Sequence, residues 1–481
     1  MILVSVLVLI PIMVVPFYKN EIVYIPAFLI TFIISAFLGF VVCLCTHNQK
    51  NITAESYTMK KGSTTVLFIW VYGFVIGALP FVLAGQLTFI QALFESVSGW
   101  TTTGLSVMDV RVTPQVFLFH RAFMQFCGGL GFVMMMVMFV QGKQAMGLFN
   151  AEGHPDKLMP NLGKTARVIF LMYVIFLAVG TALYTFFGMN TFDAITHAMC
   201  ALSTGGFSTK VDSIGAYQSV AIETIKIGLM LVGTSNFAVL LLLTKRKVRQ
   251  VMKVSEVRFM FILMLIIIPM VTASLFSGLY FSAGDSLRTA IFNVVSALST
   301  SGFSTMSYAE WPAFSIGLMI LLMLIGGGIG STAGGMKLTR VYLAFRIMKE
   351  NVKKRLSSDR VISNPYYYRA QGKTYIDKGL ESDTVGFIFC YITIYAIGTL
   401  LITLTASCSL SDAMFEFASS LGTVGLSIGI TGPSTNEATL IVEIVGMMLG
   451  RLEIFIVIIG IHMGLKKMAY TVRINTRKFK H

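Results

Sequence analysis

The sequence predicts an all-α polytopic membrane protein: an N-terminal helical hairpin followed by four membrane/pore-loop/membrane repeats in a quasi-fourfold arrangement around one pore. Three observations predict it. Of the 481 residues 55% are hydrophobic and 12% charged, with a mean hydropathy of +0.78, which excludes a string of soluble domains. A short phrase recurs four times, at intervals of roughly a hundred residues: Thr102-Thr103-Gly104-Leu105-Ser106, Thr204-Gly205-Gly206-Phe207-Ser208, Thr300-Ser301-Gly302-Phe303-Ser304 and Thr423-Val424-Gly425-Leu426-Ser427. Each copy follows an apolar stretch of about a dozen residues and lies between two stretches long enough to cross a bilayer, so each is expected at the bottom of a re-entrant loop.

In order, segments 1–16 and 22–44 read as the hairpin (domain 1–45), with a turn near Lys19-Asn20. The apolar start lacks a basic n-region, so a retained first helix is expected rather than a cleaved signal. Lys50, Lys60 and Lys61 bring the chain back to the cytoplasm. Repeat one occupies 64–140, with its half-helix at 88–100; repeat two occupies 166–243, repeat three 257–345 and repeat four 383–464. A basic cytoplasmic loop (346–382) separates the last two, and a basic cytoplasmic tail (465–481) closes the chain. Parallel repeats about a membrane-normal axis follow, with about ten full spans and four half-spans and both termini cytoplasmic.

The net charge of +15 belongs to this topology rather than to nucleic acid. About 30 of the Lys and Arg residues fall in loops on the cytoplasmic side, the positive-inside bias. Cys43, Cys45, Cys127, Cys200, Cys390 and Cys408 show no metal spacing beyond the Cys43/Cys45 pair and read as buried apolar thiols. Met134, Met135, Met136 and Met138 read as packing rather than copper ligation. No catalytic triad, phosphate loop or zinc spacing is present, so neither an enzyme nor a cofactor is expected.

The four phrases have the chemistry of a cation filter. A partly dehydrated cation needs a ring of fixed oxygens without competing water, and a residue with φ > 0 turns successive carbonyls toward one axis, which glycine does at little steric cost. Thr102, Thr103, Gly104, Thr204, Gly205, Gly206, Thr300, Ser301, Gly302, Thr423, Val424 and Gly425 are the candidate filter residues, with backbone carbonyls and hydroxyls as acceptors. The fourth phrase shares Thr-Val-Gly with potassium-channel filters but continues with Leu426-Ser427. A shorter filter with fewer ion sites is expected. The carbonyl end of each half-helix, pointed at the filter, adds about 0.5 kcal/mol in favour of a cation.

Nine residues before each filter glycine stand Glu95, His197, Asn293 and Glu416. They either face water at the outer mouth, where the two acids attract cations, or are buried and fix each loop by hydrogen bonding. Lower in the pathway, Gly326, Gly327, Gly328, Gly330, Gly334 and Gly335 interrupt the last span of repeat three. Each costs about 1 kcal/mol relative to alanine in a helix, and irregular backbone at membrane depth is tolerated only against protein or a water-filled cavity. A moving gate below the filter is expected there, against the alternative of close helix packing. Arg451, near the middle of a span at 438–464, carries an insertion cost of about 2.5 to 3.5 kcal/mol. It is expected to line the pore and repel the cation, or else to pair with an acid on another helix. His120 and Arg121 read as snorkelling residues at the start of a span. Glu443 reads as a vestibule charge or a packed acid.

Taken together, the four Thr-x-Gly-(Phe/Leu)-Ser loops, the glycine-rich break and Gly450-Arg451-Leu452-Glu453 resemble the Trk/Ktr/HKT superfamily of potassium transporters. The leading hairpin makes the chain more similar to the Trk membrane subunit than to the shorter Ktr subunit. The segment Asp156-Lys157-Leu158 with Pro160, then Thr165-Ala166, resembles the Trk cytoplasmic connector, with Asn161 where an arginine is common. The resemblance implies potassium uptake across a prokaryotic plasma (inner) membrane, driven by the membrane potential, with glycine at all four filter positions as in potassium-selective members. It also implies that the glycine run is the intramembrane gating loop and that Arg451 is the pore-facing arginine. The implied partners are a second copy (a homodimer) and a cytosolic nucleotide-binding regulatory ring (TrkA-like). Segments 245–253 and 346–378 and the tail from Lys466 would face the ring or contact lipid. Two rivals stay open: a sodium- or proton-coupled symporter, and the ion-pathway subunit of a potassium-transporting ATPase.

Overall fold

The computed structural model describes residues 1–47, 59–131, 162–279, 282–357, 364–464 and 466. The end of repeat one as expected at 140, the four methionines, the connector Asp156 to Pro160 and most of the tail lie outside the described residues. The described chain is mostly helical, and one order of elements recurs four times: a long outer helix, a short pore helix, a loop and an inner helix.

The outer helices are Met59–Leu83, Leu162–Phe186, Ser255–Leu279 and Lys378–Ala406. At 1.5 Å per residue each reaches about 37 Å or more, enough for the hydrocarbon core. Leu265, Phe389 and Leu404 stay exposed on them, as lipid-facing positions do. The pore helices are Phe89–Trp100, Thr191–Leu202, Ala283–Leu298 and Leu410–Gly422. Each begins at a polar cap. Thr88, Asn190, Ser282 and Ser409 accept from the N–H groups of Gln91, Phe192, Asp285 and Asp412, which satisfies first-turn donors that nothing else in the helix can. The inner helices are Gln115–Leu130, Val220–Thr234, Ala313–Ile325 and Glu437–Arg451. Each pore helix packs against its own outer helix and against the inner helix of the preceding repeat, and the first packs against the fourth, so the contacts run in a closed cycle.

The count of full spans differs from expectation. Among the described residues five helices are long and apolar enough to cross a membrane, or up to seven if two bent pairs are each one span. The first segment is an α-turn run, Ile2–Leu9, continued as a 3-10 helix, Ile10–Phe17, where Pro11 and Pro16 remove backbone donors. The inner helices, 13 to 16 residues long, are each too short to span by themselves. In repeat two the chain bends by 113° before Phe237–Thr244, and in repeat four by 105° before Ile454–Gly464. The span expected at 438–464 is therefore two helices, with Arg451 ending the first. The expected basic loop also contains structure. A helix, Leu338–Leu356, runs into it, and an antiparallel hairpin pairs Tyr366–Arg369 with Gly372–Tyr375.

Candidate ion pathway

The four loops share one backbone conformation. Thr102, Thr204, Thr300 and Thr423 have φ of 58°, 53°, 54° and 49°, and Gly104, Gly206, Gly302 and Gly425 have 97°, 82°, 69° and 96°. A threonine in the left-handed region costs about 1 kcal/mol or more, so the surroundings must impose it. The pore helices do so in part, because the N–H groups of Thr103, Gly205, Ser301 and Val424 are held by Ser98, Cys200, Ser296 and Ser419 carbonyls at 2.8–3.0 Å.

The loops meet in cyclic order. A methyl group on Gly104 would lie 2.1 Å from the Gly205 carbonyl oxygen, one on Gly206 2.9 Å from that of Ser301, one on Gly302 2.0 Å from that of Val424, and one on Gly425 2.1 Å from that of Thr103. Gly104 touches Gly206, Gly206 touches Gly302, Gly302 touches Gly425, and Gly425 returns to Gly104. A cavity of about 390 Å³ opens above this ring, lined by all four glycines with Asp109, Arg111 and Lys210 at its rim. The ring is not fully symmetric, since Gln125 donates to the Gly205 carbonyl and accepts from the Phe207 N–H.

The residues nine before each glycine are all fully buried and bind their own loop. Glu95 accepts from Ser106 and the Val107 N–H, His197 sits 3.2 Å from Ser208, Asn293 donates to Thr305, and Glu416 accepts from Ser427 and the Ile428 N–H. Of the two readings, burial that fixes each loop is the one observed. Arg121 does not snorkel. It is 2% exposed, pairs with Glu95 at 3.1 Å, and reaches the Ser208 carbonyl of the next loop. His120 beside it is also buried and meets the Gly77 carbonyl at 3.1 Å. Both misreadings have one cause: these positions face pore helix and outer helix, not the interface. Arg121→Ala would leave the Glu95 carboxylate buried without its cation, an expected cost of about 3–5 kcal/mol. A lower thermal unfolding midpoint in detergent checks this.

Directly beneath the ring lies the glycine run. The chain leaves the inner helix at Gly326 (φ 70°) and is pinched shut where the Met336 and Lys337 N–H groups return to the Leu324 and Ile325 carbonyls, both at 2.9 Å. What protrudes is a loop held against threonines of three of the four recurring phrases. The hydroxyls of Thr332 and Thr204 are 3.0 Å apart, the Gly334 N–H donates to Thr300 Oγ1 at 2.9 Å, and a methyl on Gly334 would strike Thr423 Oγ1. Gly327, Gly328, Gly330 and Gly335 complete the excursion; the Gly328 N–H donates to the Thr234 carbonyl and the Gly330 carbonyl accepts from Phe237 N–H, both at 3.1 Å, at the break in repeat two.

Two basic side chains grip this loop. Arg451 donates to the Thr332 carbonyl and, on the opposite side, to Gly128 and Gly129 carbonyls at 2.6 and 3.3 Å. Lys337, which sequence reasoning missed, donates to the Ala333 carbonyl from a left-handed backbone (φ 77°). Its signal was its position as the first charge after the glycine run. Lys226 was also missed. It is fully buried, donates to the His197 carbonyl at 3.0 Å and stands 3.2 Å over the Phe303 ring. The hydroxyls of Thr102 and Thr423 are buried with no hydrogen-bond partner among the described residues, so oxygen acceptors remain available at the level of the ring.

Comparison with known proteins decides the family. The model of the family described as "TrkH: Cation transport protein" matches residues 24–467. The chain belongs to the TrkH family. It is 31% identical over 448 residues to the Trk system potassium uptake protein TrkH of Salmonella typhimurium, covering 90% of each chain. It is 30% identical over 463 residues to the Trk system potassium uptake protein TrkG of Escherichia coli, covering 93% of each. Among solved structures, the potassium transporter TrkH from Vibrio parahaemolyticus matches with a TM-score of 0.82 at 27% identity, over 95% of each chain. This TrkH-family chain is thus a multi-pass membrane protein of the Trk type.

Proposed function

We propose that the chain takes up potassium through a channel-like pore on a quasi-fourfold axis, with the four loops as its selectivity filter and the glycine run as its gate. The observation that carries this reading is the closed cycle of contacts from Gly104 through Gly206 and Gly302 to Gly425. Potassium binds at Thr102, Thr103, Gly104, Thr204, Gly205, Gly206, Thr300, Ser301, Gly302, Thr423, Val424 and Gly425, where carbonyl and hydroxyl oxygens replace its water. The names of the relatives support potassium as the ion. Inward flow draws on the membrane potential, about 2.3 kcal/mol per charge for each 100 mV.

The gate is the loop containing Gly326, Gly327, Gly328, Gly330, Gly334 and Gly335, latched by Arg451. Its contacts with Thr204, Thr300 and Thr423 close the lower end of the filter, and the Arg451 guanidinium held against it opposes a cation leaving downward. Opening requires it to withdraw from both sides of the pathway. A route from the cytosol is at hand. The Tyr368 N–H donates to Ser255 Oγ at 3.0 Å, and next to Ser255 the Glu256 carboxylate accepts from Thr339 just past the glycine run. A cytosolic nucleotide-binding regulatory ring docked on the basic segments could pull on the loop through this hairpin. The protein acts as a homodimer in a lipid bilayer, the prokaryotic plasma membrane, with both termini cytoplasmic.

Rubidium uptake into proteoliposomes tests the reading. Uptake is expected to follow an imposed voltage, to be competed by potassium well below the sodium concentration that competes, and to need no second ion. Strict dependence on sodium or a proton gradient would transfer the assignment to a symporter.

A further inference from the structure

The inner helices of repeats one and four carry opposite chemistry at equivalent places. Gly128 and Gly450 both lie against the pore-helix carbonyl four residues before a filter glycine, since a methyl on either would stand 2.0 Å from the Trp100 or Leu421 oxygen. Seven residues earlier on each helix stand Arg121 and Glu443. Arg121 neutralises Glu95, the acid that fixes loop one. In repeat four the acid that fixes the loop is Glu416, and the residue that meets it is a second acid.

The two acids share one hydroxyl. Glu416 accepts from Ser427 Oγ at 2.7 Å, from the Ile428 and Thr431 N–H groups at 3.1 Å each, and from the Thr431 hydroxyl. Thr431 Oγ1 also lies 2.8 Å from Glu443 Oε1. Both carboxyl groups are 0% exposed, and Glu443 Oε2 has no partner among the described residues. A hydroxyl has one proton to give. Glu416, with four donors around it, is the anion that receives it. The contact between Thr431 and Glu443 then lacks a hydrogen unless Glu443 supplies it, and a second buried anion beside the first would have nothing to offset its desolvation.

We propose that Glu416, Thr431 and Glu443 form a buried proton-binding site, in which Glu443 stays protonated and donates to Thr431, locking the loop that follows the fourth filter phrase. The ligand is a proton rather than a metal ion, because the oxygens are in direct hydrogen-bond contact with no gap for an ion between them. Ionisable groups on the packed elements are accounted for. Glu95 is neutralised by Arg121, Asp412 lies in the half-exposed first turn of its helix, Tyr391 and Tyr395 are phenols, and Glu416 is the charge that acts on Glu443.

Infrared difference spectroscopy of the purified protein in lipid tests the site independently of which ion the pore carries. The parent at neutral pH is expected to show the carbonyl stretch of a protonated carboxylic acid, and E443Q to lack it. Thr431→Val should keep that band and shift its position, because only the hydrogen bond is lost. The uptake arm rests on the transport reading above. E443Q, which mimics the protonated acid, is expected to keep rubidium uptake within about twofold, whereas E416Q should lose about tenfold or more, the worth of charge-assisted bonds to the loop. Absence of the band in the parent, a band that appears only when sodium and potassium are removed, a band unmoved in Thr431→Val, or a loss in E443Q equal to that in E416Q would each overturn the proposal.

Discussion

Gly302→Ala is expected to abolish rubidium uptake, with a loss of at least about a hundredfold, the equivalent of about 3 kcal/mol placed on the conducting geometry. The methyl would stand 2.0 Å from the Val424 carbonyl oxygen, backbone that has no rotamer with which to yield, and at a φ of 69° that alanine seldom adopts. Gly104→Ala and Gly425→Ala meet neighbouring carbonyls at 2.1 Å and should match it. Gly206→Ala meets its nearest carbonyl at 2.9 Å and should be the mildest of the four. Gly85→Ala supplies the control, since it shares a left-handed φ of 66° but has nothing within 4 Å. If it left uptake intact while the ring variants lost theirs, strain alone would be excluded as the cause. Equal loss in all five, checked against expression and thermal stability, would contradict the account.

Arg451→Gln is expected to raise uptake about tenfold or more. The guanidinium ties the glycine run, through the Thr332 carbonyl, to Gly128 and Gly129 at the end of the first inner helix, so in the proposed pore it bridges the pathway from one side to the other. Bonds from a charged donor are worth about 1.5–3 kcal/mol each, and losing one or two shifts a closed-to-open equilibrium by a decade or more. Glutamine keeps a polar group of similar reach and removes both the charge and the fork. Tracer flux in proteoliposomes without any cytosolic partner reads the effect, because regulation cannot mask it there. Unchanged flux and unchanged competition by sodium would remove Arg451 from the latch.

Much of this was legible in the residues because glycine and threonine carry conformational information of their own. Thr-x-Gly marks a backbone that must turn left-handed, and the apolar dozen before each copy marks the short helix. The glycine run could not be an intact helix, and it is not. The breaks at Ser235-Asn236 and Leu452-Glu453 were hidden, because the nearest glycines, Gly233 and Gly450, lie inside the preceding helices and the apolar residues on both sides have the length of a span. They are tertiary in origin. Asn236 caps the new helix at the Ala238 N–H, and the Phe237 N–H is taken by the Gly330 carbonyl of another repeat. Glu453, left-handed at a φ of 59°, is held by Arg340 at 2.8 Å. Arg121 and Lys226 were hidden for a related reason. A charge in an apolar helix reads as an interfacial residue until its partner is known, and Glu95 and the His197 carbonyl lie on other elements.

In the proposed filter, four equivalent bends in one polypeptide present oxygens to a single bare cation. Crystals grown in rubidium in place of potassium would test it by anomalous scattering. A peak is expected on the axis encircled by Gly104, Gly206, Gly302 and Gly425, above Thr332 and Gly334, and it should disappear when rubidium is exchanged for a large organic cation. Rubidium bound elsewhere in the membrane region, with the ring empty in protein that still carries out uptake, would contradict it.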